Sequence, residues 1–315
     1  MTLKKYAEKM EHLATVRDGS EGVLGNGYSL LHIVGGRVND DNIIPLIQRL
    51  YSSAAPGFNS ENHQILDAVD AIVSAGGGKG IVVFDRGGDR RNLLGPFLNR
   101  ELKFMVRQVG NRHVNSGNQT RSVEEWANSC RCQYTEVISK VDNGKEKVYE
   151  LTFGSRKVRL PGREEVLTLL VVHGFGKKPL MLLINGEVKS SRCSHWWWVQ
   201  AYMRRWAVEE TIRCVKQSYD IENVRLLTYA SLQNLLPLLN VAFYFTAVMI
   251  GSVERLRVMS GYVLKAAKRL FGIPDFKYYA LSDGLRAIFQ RHPKRPDELF
   301  GPMTPEFTLF DALGP

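Results

Sequence analysis

The chain has 315 residues, 44% hydrophobic and 23% charged. That balance excludes a disordered chain and leaves room for one large domain or two ordinary ones. A formal net charge of +10 favours polyanionic partners, nucleic acid first and an anionic membrane surface second.

The opening residues, MTLKKYAEKM, are not a signal peptide, and a reducing cytoplasm is the expected setting. A helix is expected from about Lys4 to Thr15, then a strand at GYSLLHIVGG. The next run, IIPLIQRLYSS, reads equally as strand or helix. In ENHQILDAVDAIVSAG the apolar residues Ile65, Leu66, Val69 and Ile72 have the spacing of an amphipathic helix. Gly76, Gly77 and Gly78 end it. The glycines precede a strand and lack the G-x-x-x-x-G-K-[ST] order, so they read as a turn and not a phosphate loop.

Ile81 to Phe84 form a short apolar run of the buried-strand type, ending on Asp85. A helix near Asn92 to Arg100 and a strand at LKFMVRQVG complete a β-α-β unit, which points to an α/β layered fold. Residues 111–185 are rich in Val, Tyr, Thr and Leu and punctuated by turns such as VDNGKEK, the pattern of a β-rich insertion. Within it, Cys130-Arg131-Cys132 reads as a strand with both cysteines on one face, a redox pair or a metal site being the alternatives. The remaining cysteines, Cys193 and Cys214, complete no C-x-x-C zinc pattern, and His173 and His195 read as structural or surface residues.

The rest of the chain is mostly helical to about Leu270, followed by a basic tail. Leu226 to Val253 carry no charge and are long enough to span a bilayer. Gln233, Asn234, Pro237 and Asn240 in their middle argue instead for one or two buried helices, with a membrane anchor as the rival.

The densest chemistry lies in SHWWWVQAYMRRWAVEETIRCVKQ. On a single helix from Trp196 to Tyr219, Arg205, Glu209, Arg213 and Lys216 fall within about 60° of Tyr202. A second, apolar stripe holds Trp197, Ala201, Val208, Ile212 and Val215. On that wheel Trp197 belongs to the core. Trp196 packs against the insertion or a C-terminal helix. Trp198 lines up with the polar stripe, where it would stack on DNA bases. A stripe of Arg, Glu and Lys is by itself most often a solvated face.

Tyr202-x-x-Arg205-x-x-x-Glu209-x-x-x-x-x-x-Lys216 resembles the YREK signature of bacterial insertion-sequence transposases with a DDE triad and an RNase H-like core. FDRGGDRRN resembles the segment carrying that family's second catalytic aspartate, here Asp85. The resemblance implies an RNase H-like mixed sheet with flanking helices, interrupted by the β-rich insertion and followed by a helical C-terminal part. The corresponding divisions are 1–110, 111–185, 186–222 and 223–315.

It also implies Mg²⁺-dependent cleavage and transfer of DNA strands at a two-metal site. Asp85 and Glu209 would be catalytic metal ligands. Tyr202, Arg205, Lys216, Arg213 and Trp198 would hold double-stranded DNA, the transposon ends and the target, at the nucleoid. A homodimer on paired ends is part of the same expectation. The strand carrying the family's first aspartate would precede a segment like the one starting at Lys4. Asp18, Asp40 and Asp41 come too late for that role. The chain is therefore expected to be N-terminally incomplete, with absent or very weak strand transfer. A transposase-derived DNA-binding protein without chemistry is the alternative.

Overall fold

The computed structural model describes residues 2–4, 10–17, 22–40, 43–142, 145–224, 226–246, 284 and 286–287. Its centre is a six-stranded mixed sheet in the order β5-β6-β12-β11-β10-β9. These strands span Val82–Phe84, Phe104–Arg107, Leu180–Asn185, Leu167–His173, Lys145–Val158 and Tyr134–Asp142, respectively. β5 and β6 run parallel, with Val82 opposite Phe104, and every other neighbouring pair is antiparallel. The helix α2 (Arg91–Asn99) joins β5 to β6, as the β-α-β pattern requires.

Alternation of side chains sorts this sheet into two layers. Val82, Phe84, Phe104, Val106, Leu169, Val171, Met181 and Leu183 face one way. They meet α1 (Glu61–Ala75), α2 and α3 (Val123–Asn128) through Ile65, Val69, Leu93, Phe97 and Trp126. Ile81, Val83, Met105, Leu170, Val172, Leu182 and Ile184 face the other way. They meet α4 (Arg192–Arg204) through Trp198, Val199, Ala201 and Tyr202. The expected β-rich insertion thus extends the core sheet, because its strand β12 pairs directly with β6.

A second sheet holds β1 (Thr2–Lys4), β2 (Ala14–Arg17), β3 (Leu24–Gly36) and β4 (Ile43–Tyr51). Strand, not helix, is therefore found at both ends of the segment from Lys4 to Thr15, and IIPLIQRLY resolves as a strand. The period-2 burial of Ala14 and Val16 gives the reason: this segment closes against β3 and not on itself. One face of the sheet packs on α5 (Ala207–Ser218) and α6 (Tyr229–Tyr244), joining Tyr28, Leu30, Ile43 and Leu50 to Cys214, Val215, Leu232, Leu236 and Phe243. Among the described residues no helix is long and apolar enough to cross a membrane. The chain beyond Thr246, with the basic tail expected after about Leu270, lies outside the described residues apart from three positions.

The short hairpin β7 (His113–Ser116) and β8 (Gln119–Ser122) leads into α3, whose first turn is closed by a capping box between Ser122 and Glu125. At the seam of the second core, His32 of β3 ties to α5. Its Nε2 lies 2.9 Å from the Thr211 hydroxyl, and that hydroxyl donates to the Val208 carbonyl at 2.7 Å. His32 Nε2 therefore carries the hydrogen and donates, while the buried Nδ1 has no partner among the described residues. Burial pushes the ring down to about 4.

Between the ordinary histidine value of about 6.5 and that lowered one, the unfolded chain takes up a proton that the folded chain refuses. Stability therefore falls as pH drops through the window from about 6.5 to 4, by up to about 3 kcal/mol. Urea unfolding at stepped pH is expected to show that slope in the wild type and its loss in His32→Gln.

Candidate active site

The long helix expected from Trp196 to Tyr219 is two helices, broken at Arg205 and Trp206. The junction is drawn tight by i→i+3 bonds, Arg205 N–H to Tyr202 O at 3.0 Å and Glu209 N–H to Trp206 O at 3.0 Å. No Pro or Gly lies there. The cause is tertiary: α4 serves the core of the central sheet, whereas α5 serves the core of the second sheet. A straight helix would abandon one of them. Trp206 wedges into the corner edge-on to Phe175, with ring centroids 5.7 Å apart.

The bend rearranges the tryptophans. Trp198 is 4% exposed and its Nε1 donates to the Glu187 carbonyl at 3.3 Å, so the indole is not available to stack on DNA bases. Trp197, expected in the core, is 37% exposed. The wheel misplaced both because α4 alone, ending at Arg204, rolls its Trp198-Tyr202 edge onto the sheet. Trp196 stacks on Phe153 of β10 and so packs against the insertion strands, as expected.

Tyr202, Arg205 and Glu209 remain in one line of contacts across the break. Tyr202 is fully buried in the central core. The Arg205 guanidinium sits 5.5 Å from the centroid of its ring, within cation–π range. The same guanidinium donates to Glu209 Oε1 at 3.2 Å. Arg205 is only 15% exposed in its side chain, against 61% for Glu209. Glu209 therefore presents an open carboxylate edge to solvent while a half-buried cation holds its other side. Further along α5, Arg213 pairs with Glu210 at 3.1 Å and Lys216 with Glu222 at 2.8 Å. These two cations are partnered locally and sit one and two turns beyond Glu209.

Asp85 stands at the C-terminal end of β5, exposed, and caps the 3-10 turn Arg86–Gly88 by accepting from Gly87 N–H at 2.8 Å. The turn is compact for a steric reason. A Cβ on Gly88 would lie 2.4 Å from the Phe84 Cβ, so only glycine fits the buried position. Val83 of β5 and Ile81 just before it pack against the same core cluster as Tyr202, so the strand leading to Asp85 and the helix leading to Glu209 share one layer. Asp89 has a different task. It is nearly buried, accepting from Arg112 Nε at 2.5 Å and from Val109 N–H at 2.9 Å, and so locks the turn to the strand end after β6. Arg112 is thereby a structural clamp.

Asp85 and Glu209 are hard oxygen donors with open lone pairs, the donor chemistry that Mg²⁺ takes. Among the described residues no three His, Cys, Asp or Glu side chains converge into one metal-holding group. Sequence reasoning missed a groove of about 920 Å³ beside the Asp89 turn, lined by Arg91, Arg112, His113 and Arg163. Its residues come from segments up to about seventy positions apart, so no local motif announces it. It likewise missed the His32–Thr211 tie, which joins residues 179 positions apart.

The Tyr202 hydroxyl is buried and has no hydrogen-bond partner among the described residues. An unmet buried hydroxyl costs about 1–3 kcal/mol. Tyr202→Phe is therefore expected to leave the unfolding free energy unchanged or raise it by about 1 kcal/mol, as read in chemical denaturation. A clear loss of stability would show that the hydroxyl is bonded after all.

A family model described as Transposase DDE domain matches residues 50–245, more than half of the chain. The match runs from the end of β4 to the end of α6 and takes in Asp85, the insertion strands and the whole α4–α5 junction. No curated protein matches the chain.

Proposed function

Since the chain belongs to the transposase DDE-domain family, we propose that it is an insertion-sequence transposase of the YREK group, a group whose chemistry is cutting and joining DNA strands at transposon ends, with weak or absent strand transfer by this chain itself. The observation that carries this reading is the contact line Tyr202–Arg205–Glu209 at the helix junction, in the same layer as the strand that ends on Asp85. Asp85 and Glu209 are the carboxylates assigned to Mg²⁺. When bound, that ion supplies polarisation of the scissile phosphodiester and activation of water or a 3′-hydroxyl.

The chain's own residues do the rest. Tyr202 and the surrounding core hold the Arg205 guanidinium in place, so little rotamer freedom is lost when it meets a phosphate. A phosphate oxygen approaching the junction competes with Glu209 for that guanidinium. DNA binding thus loosens the Arg205–Glu209 pair and turns the carboxylate toward the reacting centre. Lys216 and Arg213 on α5 lie along the DNA backbone as point and fork donors to phosphate. The formal charge of +10 supports such a track, because phosphate contacts dominate DNA affinity. Two copies on paired ends complete the proposal.

The test is plasmid nicking in Mg²⁺ alongside DNA binding at several salt concentrations. Glu209→Gln is expected to lower nicking by more than the about 100-fold that loss of a metal ligand's supporting partner costs, with DNA affinity preserved. Lys216→Ala is expected to weaken binding and to reduce the salt slope by about 1. Equal nicking by Glu209→Gln sinks the assignment of α5. Binding without nicking in the wild type leaves a DNA-binding protein in place of the enzyme.

A further inference from the structure

The groove beside the Asp89 turn is built from three separate segments: the first half of α2, the stretch from Asn111 to His113, and the turn from Leu160 to Arg163. About 920 Å³ of space lies between them. Local geometry fixes its shape. The turn is closed by Arg163 N–H donating to the Leu160 carbonyl at 3.1 Å, with Gly162 at a φ of 74°. Proline followed by glycine at the two central positions, Pro161 and Gly162, is the sequence such a turn favours. The Arg163 guanidinium ties the turn to α2, donating to the Gly95 carbonyl at 3.1 Å and to Asn99 Oδ1 at 2.6 Å. A Cβ on Gly95 would meet nothing within 4 Å, so the helix leaves the space beside it open.

The lining is chemically mixed. Leu94 and Leu160 are buried beneath the groove, Pro96 is half-buried and Pro161 is exposed. Asn92, Asn111 and His113 add exposed polar groups. The positive charges are not all committed. Asp89 and Arg112 neutralise each other. At the two ends of α2, Arg90 pairs with Glu61 at 2.9 Å and Arg100 with Asp70 at 2.8 Å. Arg91, on the same helix, is exposed on the groove and has no carboxylate partner among the described residues.

An open cation, amide side chains and apolar surface together match a nucleic-acid strand with its bases unpaired. A duplex hides its base faces in the stack, so Pro96 and Pro161 would meet only sugar and phosphate. Unpaired bases turn an apolar face outward, and every base has one. Asn side chains can bond base edges, and a His ring can stack on a base. The groove also starts near the carboxylate assigned to Mg²⁺. Asp89 lines it and stands four residues after Asp85, across the 3-10 turn. At about 2.0 Å per residue that is about 8 Å, or about two or three nucleotides of a stacked strand at about 3.4 Å each.

We propose that this groove holds a short single-stranded stretch of the DNA substrate, the flank that runs on from the bond cut at Asp85. The position of the cut rests on the function proposed above. Arg91 meets a phosphate of that strand, Asn92 and Asn111 meet base edges, and His113 and Pro161 pack on base faces.

The experiment reads fluorescence anisotropy of the full chain with two labelled probes, an oligothymidylate and a blunt duplex of equal length, at several salt concentrations. Arg91→Ala is expected to weaken oligothymidylate binding several-fold and to lower its salt slope by about 0.7, the share of one phosphate on a single strand, with duplex binding unchanged. Gly95→Leu fills the groove without changing charge and puts a better helix former in α2, so the fold is kept. It is expected to weaken oligothymidylate binding at an unchanged slope. Oligothymidylate binding untouched by either variant would overturn the proposal, as would a wild type that does not bind this probe. Equal losses for both probes would also overturn it, since Arg91 would then be a duplex contact. The link to the cut is read separately, from nicking by Asp85→Asn. Nicking retained there, with oligothymidylate binding lost in the two groove variants, would keep the binding site and overturn its connection to the cut.

Discussion

The arrangement depends on one constraint, that a single run of helical sequence must bury apolar residues in two different cores. The α4 half gives Trp198, Val199 and Tyr202 to the central sheet, and the α5 half gives Cys214 and Val215 to the second sheet. At about 0.8 kcal/mol per buried methylene, abandoning either set costs several kcal/mol. A tight turn at Arg205 and Trp206 costs less, because its backbone groups remain bonded in i→i+3 fashion. The bend follows from that comparison, and it sets where Arg205 and Glu209 stand.

The acidic groups around the junction are handled in three ways. Asp89 is nearly buried and fully committed to Arg112 and the Val109 amide, so it is structural. Asp85 spends one oxygen on its own turn and stays open to solvent. Glu209 is exposed but tethered by a half-buried arginine. An exposed ion pair of this type contributes about 0–1 kcal/mol, so it is weak enough to be exchanged when a phosphate arrives. Arg205 is the costlier partner to disturb, since its Nε is buried without a hydrogen bond and its plane rests near Tyr202. The geometry thus pairs a fixed cation with a movable carboxylate.

Much of this was legible in the sequence. Ile81 to Phe84 ending on Asp85, the helix at ENHQILDAVDAIVSA and the insertion strands follow the periods of 2 and 3.6 that burial imposes. The Tyr202, Arg205 and Glu209 spacing also pointed to residues that do touch. What stayed hidden came from long-range packing. RRWAVEE contains no breaker, so the bend could not be read, and with it went the roles of Trp197 and Trp198. The N-terminal strands were masked by a charged, helix-compatible composition, and only pairing with β3 decides them. The Cys130–Cys132 link reads as a strand until Gly154 is seen beneath it.

The central proposal is that Asp85 and Glu209, 124 positions apart in the chain, hold the same ion. Mn²⁺ can stand in for Mg²⁺, with free Mn²⁺ read by electron paramagnetic resonance. Titrating the wild type, Asp85→Asn, Glu209→Gln and the double variant closes a thermodynamic cycle. The account predicts that each single change weakens binding about tenfold or more and that the double variant departs from the sum by more than about 0.5 kcal/mol. Losses that add within that margin, or Mn²⁺ binding untouched by either change, would contradict it.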